Sequence, residues 1–385
     1  MPTQLVTGEL WSLDSLLSDG VRSLDITEAE RDQAVARYEA LGAVLDDHWE
    51  DTRGHNVITP QGSFLLGTVV RNISSDDDID LDAVAIRDVD RSTLSQTELK
   101  RDAGVAVHRY ADSWGSGGPS VSECHRCWTL TWRGMHLDLL PAVPNREPWQ
   151  SGIWITDKDV RQWLPSDPTG YSTWFENQMH RAFLEERVKL SKKLQVDDVP
   201  GWQVKTTLQQ TVQALKRHRD IYFNGRLDER PASIILTTLA ARAYEGGDAL
   251  YDVLRTVTSR MGSLVENRGG TWWVSNPVRG DENFADAWAA HPQRAEWFFE
   301  WLEAAVTDFN GFGDKAGLDS TVPRLDAAFG TRFAKAASFG YGKNLYDART
   351  SRQLHVATGG ALVSAPVPTT TRRVRSHGFE GGPRR

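Results

Sequence analysis

The sequence predicts an α+β protein of two lobes followed by a flexible tail. Over residues 1–160, alternating apolar and polar stretches typical of strands lie between stretches of helical periodicity. Over residues 161–345, helical periodicity dominates, in the segments 170–190, 204–223, 231–246, 248–262, 282–306 and 318–337. Beyond residue 346 the pattern gives way to Thr-, Pro-, Gly- and Arg-rich sequence, for which we expect a flexible segment 346–385.

Composition excludes some classes of protein. The chain has 385 residues, of which 39% are hydrophobic and fifteen are Trp, so it can bury a large core. The net charge of −8 argues against a constitutive binder of duplex nucleic acid. The first 25 residues do not fit a secretory signal, and no apolar run approaches the ~20 residues of a membrane-spanning helix. We therefore expect a soluble, cytoplasmic protein without a membrane partner.

The first lobe begins with a helix over about residues 27–49. Thr27 and Glu30 have the spacing of a capping box. The apolar face of this helix consists of Ala34, Tyr38, Leu41 and Leu45. Further on, Gly62-Ser63 reads as a tight turn that enters a short helix.

A strand over 78–86 carries three acids at alternate positions, Asp78, Asp80 and Asp82. Alternation places them on one face and the apolar residues Ile79, Leu81 and Ala83 on the other. A solvated edge strand is the alternative interpretation of this pattern.

A helix over 97–114 precedes a predicted hairpin of strands 121–132 and 135–140, which turns at Arg133-Gly134. Asp138 lies in the second strand, on the face opposite its apolar neighbours. Cys124 and Cys127 fall within the first strand. They are compatible with half of a zinc site, assisted by His125 or His136, but the pattern favours buried strand thiols.

Three carboxylates on neighbouring strands beside a Gly-Ser turn outline a two-metal nucleotidyltransferase site. Hard divalent cations prefer oxygen ligands, and backbone amides beside a small residue can hold a triphosphate. We expect Asp78, Asp80 and Asp138 to hold two Mg²⁺ ions, with Mn²⁺ as a possible substitute, and Gly62 and Ser63 to bind the triphosphate. Asp80 and Asp82 form the same Asp-X-Asp pattern, which leaves the register open. We prefer Asp78/Asp80 because an apolar strand then continues behind the site.

Two residues of the second lobe are further candidates. Lys216 could reach from its helix into the site and neutralise a phosphate, although composition alone favours a solvated helix face. Ser233 lies at the first turn of the next helix, where Ser is often only a cap but where free amides can also bind phosphate.

Three motifs, Gly62–Val70, Asp78–Leu81 and His136–Ala142, resemble the bacterial cGAS/DncV-like nucleotidyltransferases (CD-NTases). The Gly-Ser and Asp-X-Asp elements are shared with the wider polymerase-β-like superfamily. Segments that make the narrower resemblance are Ser166–Tyr171, Trp174-Phe175, Leu215–Phe223, Ser233–Leu239, Ser275–Pro277 and Glu282–Phe284. The resemblance covers roughly residues 25–345.

This resemblance implies a polymerase-β-like catalytic lobe and a helical lobe on either side of a central cleft. It implies an enzyme of CBASS anti-phage defence that links NTPs into a cyclic di- or trinucleotide, which activates a downstream effector. By position, Asp78, Asp80 and Asp138 are similar to the metal ligands, Ser63 to the triphosphate-binding residue, and Lys216 and Ser233 to the donor-triphosphate contacts. Asp82 departs from the pattern, because an apolar residue is more usual there.

The tail is the place where the resemblance suggests a partner. In such systems a ubiquitin-transfer-like protein can join the C-terminus to other molecules, and Gly378–Gly382 is compatible with this. The chain ends in Pro-Arg-Arg rather than in a free glycine, so a plain disordered tail is the alternative.

Two other functions fit the same residues. One is a single-transfer nucleotidyltransferase that adds NMP to RNA or protein. The other is an inactive nucleotide sensor on the same fold, which the presence of all three acids disfavours.

Overall fold

A mixed sheet flanked by helices and a separate group of helices make up the fold. The computed structural model describes residues 13–52, 57–71, 79–146, 152–159, 161–195, 201–313, 318–357, 362–363 and 371–374. The helices are α1 Leu13–Arg22, α2 Glu28–His48, α3 Gly62–Leu65, α4 Gln96–Ser113, α5 Pro168–Leu194, α6 Thr207–Tyr222, α7 Ser233–Ala243, α8 Leu250–Met261, α9 Ala287–Ala290, α10 Gln293–Gly311, α11 Leu318–Phe329 and α12 Thr331–Thr350. The strands are β1 Ile58–Gln61, β2 Ile79–Ile86, β3 Ser120–Glu123, β4 Trp128–Trp132, β5 Met135–Pro144, β6 Ile153–Ile155, β7 Leu164–Ser166, β8 Glu266–Arg268, β9 Thr271–Trp273, β10 His355–Ala357, β11 Leu362–Val363 and β12 Thr371–Arg373.

The large sheet has the strand order β1-β2-β5-β4-β3, and β6 and β7 extend it from β5. Only the central pair, β2 and β5, is parallel; the other pairs of this sheet are antiparallel. Asp82 lies opposite Asp138, and Asp80 lies opposite His136. The parallel pairing therefore brings the acid-bearing segments of two strands side by side.

Helices α2 and α4 cover one face of this sheet. Their apolar residues share one core with the sheet residues Leu81, Leu137 and Leu139, which are fully buried. The predicted capping box of Thr27 and Glu30 is formed and begins α2 as expected. Because alternate residues of a strand point to opposite faces, the acids of β2 and β5 lie on the face away from these helices.

The second lobe is helical, as predicted, and builds a large core of its own. Helix α1, which we did not predict, belongs to this core. Its residues Leu16, Leu17 and Val21 are buried, and the helix packs mainly against α12. The N-terminal part of the predicted catalytic lobe (residues 1–160) thus contributes to the core of the helical lobe.

A polar face of α6 joins the two lobes. Gln209 Nε2 donates to the carbonyl of Leu66 (2.9 Å), and Gln213 Nε2 donates to that of Val69 (2.7 Å). Lys216 Nζ donates to the carbonyl of Thr68 (3.1 Å), and Arg217 donates to that of Arg71. We call these four contacts the α6 ladder. Since Gln209, Gln213, Lys216 and Arg217 recur at helical spacing, one side of α6 follows the extended chain 66–71.

Two expectations differ from the structure. The segment 121–132, predicted as one strand, consists of two strands, β3 and β4, which form a hairpin. The two cysteines flank the turn of this hairpin instead of lying inside a strand. Beyond residue 346, where we expected a flexible tail, α12 continues to Thr350 and β10 pairs with β11 and β12. The Gly378–Gly382 segment lies outside the described residues.

In the described segments, no helix is both long and apolar enough to span a bilayer.

The α6 ladder makes a testable contribution to stability. Gln209 is buried, and its side chain also completes a capping box with Thr206. Replacing it (Gln209→Ala) leaves the Leu66 carbonyl without its donor and should lower the free energy of unfolding by about 1–3 kcal/mol. Gln210→Ala, the same change one residue further along α6, should shift it by less than about 0.5 kcal/mol. Equal urea midpoints for the two variants would contradict the ladder.

Candidate active site

Three carboxylates meet at the centre of the sheet. Asp80 and Asp82 come from β2, and Asp138 comes from β5. One carboxylate oxygen from each lies within 4.8 Å of the others, which is close enough for a shared cation. The strand alternation predicted from the sequence is confirmed for the described residues, because Ile79, Leu81 and Ala83 are buried on the opposite face.

The structure bears on which pair of acids, Asp78/Asp80 or Asp80/Asp82, lies beside Asp138. Asp78 lies outside the described residues, so its position relative to Asp138 remains a prediction. Within the described chain, the pair that lies with Asp138 is Asp80 and Asp82. Asp82 stands directly opposite Asp138 in the β2–β5 pairing. The geometry thus matches the alternative register that the Asp-X-Asp pattern left open.

The cluster carries unbalanced negative charge. Burial, Asp80 and Asp138 raise the pKa of Asp82 to about 7, while Lys216 and His136 act in the opposite direction. His136 Nε2 lies 3.0 Å from Asp80 Oδ1, and Asp80 is 65% exposed. A buried carboxylate with a raised pKa among other carboxylates is a site that a cation would stabilise.

Two neutral side chains position these acids, and the sequence did not single out either of them. Thr129 on β4 faces Asp138 across the strand pair and donates its hydroxyl proton to Asp138 Oδ1. Tyr38 on α2 donates to the backbone carbonyl of Asp82 at 3.2 Å. The predicted hairpin turn at Arg133-Gly134 is confirmed, and its register, which sets residue 129 opposite residue 138, is the signal that could have identified Thr129.

Gly62 brings the turn before α3 against the acids. Its φ of +62° is in the left-handed region, and a Cβ added there would collide with the carboxylate of Asp82. Ser63 follows in α3, as the sequence predicted. The turn and the carboxylates therefore share one surface, which glycine alone allows the backbone to approach.

Lys216 is buried rather than on a solvated face. Its Nζ bonds the carbonyl of Thr68 at 3.1 Å and the Thr68 hydroxyl at 3.3 Å. Burial and the nearby Arg219 lower the pKa of Lys216 to about 8, against the opposing effect of Asp220, Asp82 and Asp80. The ammonium group thus lies within electrostatic reach of the acids, on the far side of the segment 66–71.

Ser233 occupies the first turn of α7, as predicted, and its Oγ accepts a hydrogen bond from Arg219 Nη1 at 2.9 Å. The neighbouring Ile234, not Ser233, lines a small cleft between the two lobes.

A small cleft of about 230 Å³ lies between the two lobes. Gly62 and Asp82 line it from the sheet side, and Tyr171 and Phe284 line it from the helical side. A larger cavity of about 840 Å³ lies between α2, α3 and α5, but none of the three acids lines it. Of these two cavities, the smaller cleft is the one that an acid of the cluster, Asp82, lines.

The acids suit a hard divalent cation. Three carboxylates provide oxygen ligands only, which matches the preference of Mg²⁺ and Mn²⁺. The two thiols are not part of this cluster in the described residues. The expected metal-dependent chemistry is therefore compatible with the side chains that are present.

Comparison with known proteins finds two relatives that are named as cyclic dinucleotide synthases. No family model matches it. It is 27% identical over 330 residues to a c-di-GMP synthase of Roseivirga ehrenbergii, covering 83% of this chain and 84% of the relative. It is 26% identical over 390 residues to the cyclic dinucleotide synthase CdnG of Bradyrhizobium diazoefficiens, covering 92% and 89%.

Solved structures have the same fold. The structure of Bradyrhizobium diazoefficiens CdnG in complex with GTP matches with a TM-score of 0.68 at 22% identity, over 86% of this chain and 99% of the other. The Vibrio cholerae cyclic AMP-GMP synthase DncV, in complex with a linear intermediate, matches with a TM-score of 0.64 at 13% identity, over 85% and 98%. The predicted α+β fold, a mixed sheet with helices, is confirmed.

The charge of the acid cluster leads to a stability prediction that needs no activity assay. Asp82→Asn removes one buried negative charge and should raise the unfolding free energy of the metal-free protein by on the order of 1–3 kcal/mol. The same change should abolish the increase in melting temperature that Mn²⁺ causes in the unaltered protein.

Asp228→Asn is the matched control, because Asp228 is exposed in the turn Leu227–Glu229 away from the cleft. It should leave both measurements unchanged. An Asp82→Asn protein that Mn²⁺ still stabilises as strongly as the unaltered chain would contradict the assignment of Asp82 as a ligand.

Proposed function

We propose that the chain is a bacterial cGAS/DncV-like nucleotidyltransferase that joins two nucleoside triphosphates into a cyclic dinucleotide. The observation that carries the proposal is the carboxylate cluster of Asp80, Asp82 and Asp138 beside Gly62, at the edge of a cleft lined by both lobes. The relatives named above are all synthases of cyclic dinucleotides, which favours a two-membered product over a trinucleotide.

The three acids would hold the divalent cations, which we propose to be Mg²⁺. Such ions, when bound, neutralise phosphate charge and favour ionisation of the attacking sugar hydroxyl. Thr129 and Tyr38 keep Asp138 and the Asp82 backbone in place, so the ligands are oriented before substrate arrives.

The remaining candidate residues would bind the donor triphosphate. Gly62 allows the backbone to approach the acids closely, and Ser63 presents its hydroxyl and amide on the same turn. Lys216 contributes a positive charge that lies near Asp80 and Asp82. Ser233 would act through the start of α7, next to Ile234 in the cleft wall. Positioning and charge neutralisation provide most of the catalysis in phosphoryl transfer.

The product decides between this function and its competitors. Incubation with labelled NTPs and Mg²⁺ or Mn²⁺ should yield pyrophosphate and a phosphatase-resistant species whose mass is that of a cyclic dinucleotide. A requirement for added RNA or protein would favour single transfer of an NMP. No consumption of any of the four NTPs with either metal would indicate a nucleotide sensor.

Single substitutions separate the two registers. If Asp80, Asp82 and Asp138 are the ligands, Asp82→Asn should lower turnover by more than about 100-fold, since losses in the outer shell alone cost about 10–100-fold. Asp78→Asn should then have the smaller effect. The reverse order of severity, measured by pyrophosphate release at saturating Mg²⁺, would restore the Asp78/Asp80 assignment.

In the cell, we propose that the cyclic product activates an effector in anti-phage defence, as the family membership suggests. Conjugation of the C-terminal tail by a ubiquitin-transfer-like partner is part of the same proposal. Deletion of residues 376–385 should abolish conjugation in cells that carry the neighbouring genes, and unchanged conjugation would exclude the tail as the acceptor.

A further inference from the structure

The two cysteines of the chain face each other across the turn between β3 and β4. Cys124 N donates to the Cys127 carbonyl at 3.0 Å, and the ladder continues with Glu123 opposite Trp128. Directly opposed, hydrogen-bonded residues of an antiparallel pair have Cα atoms about 5.5 Å apart. A disulfide needs Cα atoms about 4.4–6.8 Å apart, and the separation typical of such a pair lies within this range. Both thiols lie near the same hydroxyl, that of Thr129.

A hydrogen-bond chain connects this thiol pair to the active site. Thr129 Oγ1 lies 3.3 Å from Cys124 Sγ and 3.9 Å from Cys127 Sγ. The same hydroxyl donates its single proton to Asp138. The thiols must therefore act as the donors towards Thr129, because its own proton is already engaged.

The turn that carries the pair is held in place from outside. Lys100 Nζ donates to the carbonyls of Cys124 and His125, and Arg126 forms an ion pair with Asp157 at 3.0 Å. Both cysteines are partly exposed thiols in this structure. The pair is thus accessible from solvent and held in a fixed geometry.

We propose that Cys124 and Cys127 form a reversible disulfide that weakens cation binding at Asp138. Oxidation removes both S–H protons, so the Thr129 oxygen loses its donors. It also draws the sulfurs to about 2.05 Å from each other, which changes their positions relative to Thr129. Thr129 is a positioning residue for Asp138, and the consequence for cation binding rests on the proposed function.

The oxidant is a small-molecule disulfide, such as oxidised glutathione. Burial, Asp138 and Cys124 raise the pKa of Cys127 to about 12, so Cys127 stays protonated at neutral pH and Cys124 reacts first. The Cys124 thiolate attacks one sulfur of the oxidant and displaces one thiol. Cys127 then loses its proton to the departing thiolate and attacks Cys124 Sγ. Two protein thiols and one small disulfide become one protein disulfide and two small thiols.

The first experiment tests bond formation on the full chain. After treatment with oxidised glutathione and alkylation, the unaltered monomer should lose two hydrogen masses and resist alkylation at both cysteines. Cys124→Ser and Cys127→Ser should each retain at most a glutathione adduct. Failure of the unaltered chain to form the intramolecular bond would overturn the proposal.

The second experiment measures the Mn²⁺ concentration that gives half of the maximal thermal stabilisation. Oxidation should raise this Mn²⁺ concentration about 10-fold or more, because the loss of a group that orients a metal ligand has an effect of that size. Dithiothreitol should reverse the change. Cys124→Ser should have the same Mn²⁺ midpoint before and after the treatment, because it cannot form the disulfide. Thr129→Val should need more Mn²⁺ in both redox states and should lose the dependence on oxidation.

If the intramolecular disulfide forms but the Mn²⁺ midpoint stays unchanged, the proposed effect of the disulfide on cation binding at Asp138 is overturned. If Mn²⁺ does not stabilise even the reduced chain, the metal assignment of the proposed function fails, and the effect of the disulfide on it fails as well. The mass measurement is independent of that assignment, so the two failures are distinguishable.

Discussion

The hydrogen bonds of the α6 ladder hold together most of what the active site requires. The segment 66–71 has buried carbonyl groups that need donors, and α6 provides these donors from Gln209, Gln213, Lys216 and Arg217. The segment directly follows α3, so its attachment to α6 also sets the position of Gly62. One member of the ladder, Lys216, also interacts electrostatically with Asp82 and Asp80. The packing of the two lobes, the position of the Gly62 turn and the charge near the acids therefore all depend on the α6 ladder.

The acid cluster lowers the stability of the fold, because it places like charges close together. Parallel pairing of β2 and β5 places Asp82 and Asp138 side by side, and burial together with the neighbouring acids raises the free energy of the charged form of Asp82. Lys216 and His136 balance only part of this charge. A core of this size tolerates such a cost locally, because each lobe has its own apolar cluster. A bound cation would offset the charge that remains.

Local patterns predicted those parts of the structure that depend on neighbours in the sequence. The capping box of α2, the alternation of β2 and the positions of the acids follow from residues within a few places of each other. Helix α1 was missed because its packing partner, α12, lies more than 300 residues away. The burial of Lys216 was missed because the segment that covers it belongs to the other lobe. Alternation cannot separate Asp78/Asp80 from Asp80/Asp82; only pairing with β5 distinguishes which acid faces Asp138.

The contact between α1 and α12 has a consequence for the order of events during synthesis. The core that backs the acids draws its residues from between Ala34 and Trp163, so the sheet can assemble while the chain is still growing. The helical core includes both Leu16 and Ala337, and it cannot close until the ribosome has produced nearly the whole chain. The cleft needs both lobes. A nascent chain can thus carry a folded sheet with its acids, while the cleft between the lobes forms only when translation is almost complete.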